Sequence, residues 1–133
     1  MKDKARIGKT NKKKGSDGER LYAQIFRNLG YNFCRTSRQA SRIHDDAGID
    51  LVEIPFNVQI KVGYDRGINY KTILSYMKEK IIELFSPTHE SHRQVNMVIH
   101  RKSVGKGKKR NEFDDLVIMS FEDFKKLINN NES

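Results

Sequence analysis

The residues best placed to do chemistry lie in the stretch Gly48–Val62 (GIDLVEIPFNVQIKV), whose composition predicts two strands joined by a turn at residues 55–57. Side chains alternate between the two faces of a strand, so Gln59 and Lys61 must share the face opposite their β-branched neighbours. Asp50, on the first strand, can lie across from this pair. An acid, an amide and an amine would then converge where the strand pair meets solvent, and we predict a functional site there.

A helix is predicted before this hairpin. It begins at Ser16, because Ser16-Asp17-Gly18-Glu19 matches a capping box, and an apolar stripe at helical spacing carries it to Gly30, the expected C-cap. From this pattern alone, Glu19 is a capping residue. Residues 1–15 are rich in lysine and poor in apolar side chains, which predicts a basic flexible tail.

The rest of the chain predicts further strands and helices around the hairpin, with a polar loop at Ser37–Ala47. The elements are a first strand at Tyr31–Thr36, a helix at Tyr70–Phe85, strands at Val95–His100 and Phe113–Met119, and a closing helix from Ser120. The order α-β-β-β-α-β-β-α predicts an α/β fold, a mixed sheet flanked by helices, in a single domain of residues 16–133.

The charge of the chain is concentrated in two segments. The net charge is +9, with seven Lys or Arg in residues 1–14 and six in residues 101–110. Two basic segments on a near-neutral body favour a polyanionic partner, and nucleic acid above all. The simpler alternative is a solvated tail and a solvated loop.

Cys34 is the single cysteine, which excludes an intrachain disulfide framework and a cysteine-based zinc site. Its apolar surroundings in the sequence predict a small core residue. No apolar run reaches membrane-spanning length, and the N-terminus is too polar for a signal peptide. We expect a reducing cytoplasm, of a prokaryote or of a phage-infected host.

The opening segment and the hairpin together resemble the PD-(D/E)XK nuclease superfamily, and within it the archaeal-type Holliday junction resolvases. Residues 12–37 are similar to the opening of that family, in which a basic Gly-Ser segment leads into a helix with a catalytic glutamate, then a glycine, an aromatic strand and an arginine. Gly48-Ile49-Asp50 matches the family's aspartate at a strand start, and Gln59-Ile60-Lys61 matches its acid-x-lysine signature. The resemblance covers about residues 13–80.

The resemblance implies a restriction-endonuclease-like fold and a Mg²⁺-dependent, structure-selective DNA endonuclease. Its catalytic residues would be Glu19, Asp50, Gln59 and Lys61. The metal would be held by oxygen atoms of Glu19, Asp50 and Gln59 and by the carbonyl of Ile60, with Mn²⁺ as an alternative ion. Lys61 would orient or deprotonate the attacking water.

The resemblance also implies DNA as the partner and a homodimer, because a four-way junction needs two symmetric nicks. The basic segments and the arginines near the hairpin are the expected phosphate contacts. These residues are Lys12, Lys13, Lys14, Arg35, Arg38, Ser41, Arg42, Lys106, Lys108, Lys109 and Arg110.

The chain departs from the family pattern at two positions. Ile49 stands where a proline is usual, and Gln59 stands where an acid is usual. A neutral amide in place of a charged ligand leaves a second interpretation open, a DNA-binding module of the same fold without activity. A third is a nuclease of restriction or repair type that acts on duplex or flap DNA.

Overall fold

The computed structural model describes residues 4–64 and 66–131, and the side chains of residues 13–64 and 66–129 among them. Its first element is a long helix, α1 (Lys4–Asn28). The predicted start at Ser16 is therefore wrong, and most of the predicted tail belongs to the same helix. Ser16 is an interior helix residue whose hydroxyl accepts a hydrogen bond from Arg20 Nη1 at 3.2 Å. The chain leaves the helix through Gly30, as predicted, with a φ of 113°.

The segment after α1 differs most from the prediction. The first strand is only β1 (Arg35–Thr36), and the predicted polar loop contains two short helices, α2 (Ser37–Ala40) and α3 (Arg42–Asp46). The next strand, β2 (Leu51–Val52), pairs antiparallel with β1. The predicted hairpin is thus only partly present. Beyond β2 the backbone turns through Glu53, which has a φ of 65°, and this turn ends the strand.

The main sheet has three strands in the order β3-β4-β5. Strand β3 (Phe56–Gly63) runs parallel to β4 (Val95–Lys102), and β4 is antiparallel to β5 (Asp115–Ile118). Helix α4 (Tyr70–Leu84) makes the crossover from β3 to β4, and α5 (Phe121–Asn131) follows β5. These elements confirm the predicted α/β class with a mixed sheet and helices, although β1 and β2 form a separate two-stranded sheet.

The buried hydrophobic residues form two clusters. Tyr22 and Ala23 of α1 pack with Val58 and Ile60 of β3 in the first, and Met77 and Ile81 of α4 pack with Ile49 in the second. Cys34 is 1% exposed in the first cluster, which confirms it as a core residue. Within residues 4–64 and 66–131, no helix is long and apolar enough to cross a membrane.

Candidate active site

The four predicted catalytic side chains line one cleft at the free edge of β3. The cleft has a volume of about 300 Å³. Helix α1, the turn after α3 and strand β3 all contribute to its wall. The lining residues are Lys14, Gly15, Glu19, Arg38, Asp50, Gln59, Ile60, Lys61 and Val62.

Glu19 reaches this cleft because α1 lies very close to β3. A Cβ atom added to Gly18 would lie 2.5 Å from Val62 Cγ2, so only glycine fits at this crossing. The close approach buries the next residue, and Glu19 is only 4% exposed. Glu19 is therefore an interior helix residue facing the cleft, and its interpretation as a capping residue is wrong.

Asp50 makes two hydrogen bonds to the edge of β3 that is not paired with β4. Its backbone N–H donates to the Val58 carbonyl at 2.7 Å, and its Oδ2 accepts from the Ile60 N–H at 2.7 Å. These bonds satisfy edge groups of β3 that face away from β4. They also fix the carboxylate beside Ile60, the residue whose carbonyl is a predicted metal ligand.

Arg38 makes a two-point ion pair with Glu19. Its Nε donates to Glu19 Oε2 at 2.7 Å, and its Nη2 donates to Glu19 Oε1 at 3.2 Å. Helix α2, which carries Arg38, is tied to the site because the Ser37 N–H donates to the Asp50 carbonyl at 2.8 Å. Sequence reasoning assigned Arg38 to DNA and missed this pair, because no local pattern relates residues that meet only in the folded chain.

The surroundings of Asp50 raise its pKa from 3.8 to about 7. Burial is the main cause, and the nearby Glu19 carboxylate adds to it, while the Ile60 N–H and the Arg38 guanidinium oppose the shift. When both acids are ionised, their two negative charges repel each other. A cation bound between them would relieve the repulsion.

This pKa shift predicts how Asp50→Asn changes stability in the absence of metal. The folded pKa lies above the unfolded value, so the stabilisation from Asp50 is full below about pH 4 and is lost as the pH rises through 7. Asparagine can still accept from the Ile60 N–H but never ionises. We therefore expect the variant to gain about 1–3 kcal/mol of unfolding free energy over wild type near pH 8, and little near pH 4. Urea unfolding in EDTA at both pH values measures this; an equal difference at both would contradict it.

Gln59 and Lys61 complete the cleft from β3, and both are half-buried. The Gln59 side-chain oxygen lies 3.4 Å from the position that a Cβ on Gly48 would occupy. Gly48 has a φ of 78°, a backbone conformation that favours glycine, so the turn that leads into Asp50 depends on this residue. The Gly-Ile-Asp motif therefore supplies both the acid and the turn that lies against Gln59.

The donor set of the cleft suits a hard divalent cation. Carboxylate, amide and carbonyl oxygens are the ligands that Mg²⁺ prefers, and Glu19, Asp50, Gln59 and Ile60 carry such groups here. In the part of the chain that the structure describes, no three His, Cys, Asp or Glu residues group as metal ligands. Both oxygens of Glu19 are also engaged by Arg38. A cation would thus be held by two acids and neutral oxygens, and would compete with Arg38 for Glu19.

Most of the predicted DNA-contacting side chains lie on the surface. Lys13 and Lys14 are exposed on α1, and Lys14 lines the cleft, while the Lys12 side chain lies outside the described residues. The others that are exposed are Arg35, Arg38, Arg42, Lys106, Lys108 and Lys109.

The two remaining residues, Ser41 and Arg110, are half-buried and have partners within the fold. Ser41 is the N-cap of α3, and its hydroxyl accepts from the His44 N–H at 3.4 Å. Arg110 pairs with Asp115, which also binds Arg101 at 3.5 Å and accepts from the Tyr22 hydroxyl. This cluster ties β5 to α1, so Arg110 has a structural function that its position in a basic run did not indicate.

Comparisons of the chain with protein-family models, with curated proteins and with solved structures found no match. The function is therefore inferred from the cleft and its chemistry.

Proposed function

We propose that this protein is a divalent-metal-dependent DNA endonuclease with a restriction-endonuclease-like fold, most similar in task to a Holliday junction resolvase. One observation carries the proposal. The resemblance selected Glu19 on α1 together with Asp50, Gln59 and Lys61 at and just before β3, and all four line the same cleft. A chance match at Glu19 would not need that side chain to face the other three.

Different residues of the cleft would bind the cation and activate the water in phosphodiester hydrolysis. A cation held by Glu19, Asp50, Gln59 and the Ile60 carbonyl would offset charge on the phosphate and lower the pKa of a bound water. Lys61 would orient or deprotonate the attacking water and would offset charge on the phosphate. The Ile60 N–H keeps the Asp50 carboxylate aimed into the cleft.

Lysine side chains give the substrate a path to this cleft. Lys14 and Lys61 line the cleft, and Lys13 precedes Lys14 on α1. Phosphate groups bound along α1 would therefore lead a strand of DNA toward the two acids, with a salt-dependent affinity. By resemblance, a two-fold homodimer would present two such clefts to a junction.

A panel of DNA substrates tests the proposal. We expect the purified chain with Mg²⁺ to nick a four-way junction in preference to a matched duplex and a flap of the same sequence. Preferred cleavage of the duplex or flap would favour a nuclease of restriction or repair type over a resolvase. Cleavage of none, with Mg²⁺ or Mn²⁺, would remove the endonuclease proposal.

A second candidate function, a DNA-binding module without activity, is favoured by a different observation. Arg38 engages both oxygens of Glu19, and Gln59 is neutral, so the site already balances part of its own charge. Calorimetry with Mn²⁺ separates the two candidates. A binding module would bind junction DNA and no metal.

The neutral side chain of Gln59 leads to a prediction about metal affinity. Asp50 and Glu19 supply two negative charges, and Gln59→Glu would add a third at the same cleft. We expect the Mg²⁺ concentration for half-maximal cleavage to fall by about tenfold, equivalent to about 1.4 kcal/mol. Gln59→Ala is the matched control and should raise the requirement. An unchanged requirement in Gln59→Glu would show that this amide is not a ligand.

A further inference from the structure

The ion pair between Arg38 and Glu19 joins a buried carboxylate to a guanidinium that is accessible to solvent. The Glu19 side chain is 5% exposed, whereas the Arg38 side chain is 44% exposed. One end of the pair is fixed inside the fold by α1, and the other extends from the four-residue helix α2 at the mouth of the cleft. The pair is therefore built so that only its arginine can move into solvent.

We propose that Arg38 is a positioning residue that exchanges partners: it holds the Glu19 carboxylate until a divalent cation binds, and then binds a phosphate of the DNA. This inference rests on the proposed function, because it needs a cation at Glu19 and Asp50. It goes beyond that function by assigning an order of events to one arginine.

Competition for the same oxygens is the first reason. Arg38 bonds to both Glu19 oxygens, so a cation that binds either of them meets a like-charged guanidinium at the same atom and competes with it. Without Arg38, a buried carboxylate would lie unpaired beside a second acid, Asp50. Arg38 therefore supplies, in the metal-free protein, the positive charge that the cation supplies later.

The second reason is that a released Arg38 stays next to the substrate path. The Ser37 N–H donates to the Asp50 carbonyl at 2.8 Å, which anchors the backbone beside Arg38. Once its bonds to Glu19 are broken, the long and partly exposed Arg38 side chain can turn about this anchored backbone. A guanidinium presents a planar fork of donors that fits phosphate as well as carboxylate. Lys14 and Lys61 line the same cleft, so a phosphate bound there would lie among three cations.

Mn²⁺ binding measured by calorimetry tests the exchange without any cleavage. The titrations are run near pH 8, above the Asp50 pKa of about 7. We expect Arg38→Gln to bind Mn²⁺ about tenfold more tightly than wild type, because the competing cation is gone. The matched control is Arg20→Gln, which removes an exposed arginine from the Asp17 pair on α1 and should leave the affinity unchanged. Arg38→Lys keeps a charge but not the fork, and should give an intermediate affinity even if Arg38→Gln does not fold.

Different failures have different meanings. If wild type binds Mn²⁺ but neither Arg38→Gln nor Arg38→Lys binds it more tightly, the exchange is wrong and the endonuclease proposal stands. If wild type and both Arg38 variants bind no Mn²⁺, the endonuclease proposal falls and the exchange falls with it.

The second half of the exchange is tested by junction binding with Ca²⁺ and with EDTA. In EDTA Arg38 is paired with Glu19, so Arg38→Gln should weaken binding less than about twofold. In Ca²⁺ the guanidinium is released to DNA, so the same variant should weaken binding about fivefold to tenfold. Equal losses in the two conditions would show that Arg38 does not change partners.

Discussion

Replacement of Asp50 by asparagine is expected to lower the rate of junction cleavage by on the order of 10³-fold at saturating Mg²⁺, or about 4 kcal/mol of activation free energy. The variant keeps the shape of the side chain and an acceptor for the Ile60 N–H, whose bond to Asp50 Oδ2 is 2.7 Å. What it loses is the negative charge beside Glu19. Single-turnover cleavage of a labelled four-way junction measures the effect.

DNA binding provides the control for this variant. Asp50→Asn removes a charge that repels phosphate, so its affinity for the junction in EDTA should equal or exceed that of wild type. Near-wild-type cleavage at saturating metal would mean that Asp50 is not the essential acid. A parallel loss of DNA binding would point to a damaged fold rather than to lost chemistry.

Gly18→Ala and Gly15→Ala are expected to change stability in opposite directions, although both lie inside α1. Alanine favours a helix over glycine by about 1 kcal/mol. At Gly15 no atom lies within 4 Å of the added Cβ, so the variant should gain about that amount. At Gly18 the Cβ would lie 2.5 Å from Val62 Cγ2 on a stiff β-branched side chain, and the overlap should cost about 1–3 kcal/mol beyond the helix gain.

The Gly18 variant should also lose activity, because α1 must move away from β3 and Glu19 moves with it. A misplacement of about 1 Å costs on the order of 10²-fold in rate. Urea unfolding of both variants, with cleavage assays for Gly18→Ala, tests this. Equal stabilisation by the two alanines would contradict the close packing of α1 on β3.

The positions of several helices and strands could be predicted from the sequence where its hydrophobic periodicity is strong. Helix α4 was predicted at Tyr70–Phe85 and spans Tyr70–Leu84, and β4 was predicted from Val95 and begins there. Amphipathic and continuous apolar runs of this length leave little choice of structure. The same reasoning placed Gln59 and Lys61 on β3, where period-2 alternation separates them from the buried Val58 and Ile60.

The segment around α2 and α3 was not predictable in the same way. Residues Ser37–Ala47 are polar, and their two short helices are held by contacts to distant residues, such as the bonds from Ser37 to Asp50 and from Arg38 to Glu19. The start of α1 was misread because Ser16 and Glu19 match a capping box, yet Glu19 binds Arg38 instead of the helix N-terminus. Local patterns do not report pairs that only tertiary contact brings together.

The most direct measurement of the central claim is cleavage of a labelled four-way junction by the wild-type chain across a Mg²⁺ titration, with Asp50→Asn run in parallel. The cleft composition predicts no cleavage in EDTA, nicks that increase with Mg²⁺ into the millimolar range, and none above background for Asp50→Asn. Junction binding without cleavage at any Mg²⁺ or Mn²⁺ concentration, or equal cleavage by both proteins, would contradict it.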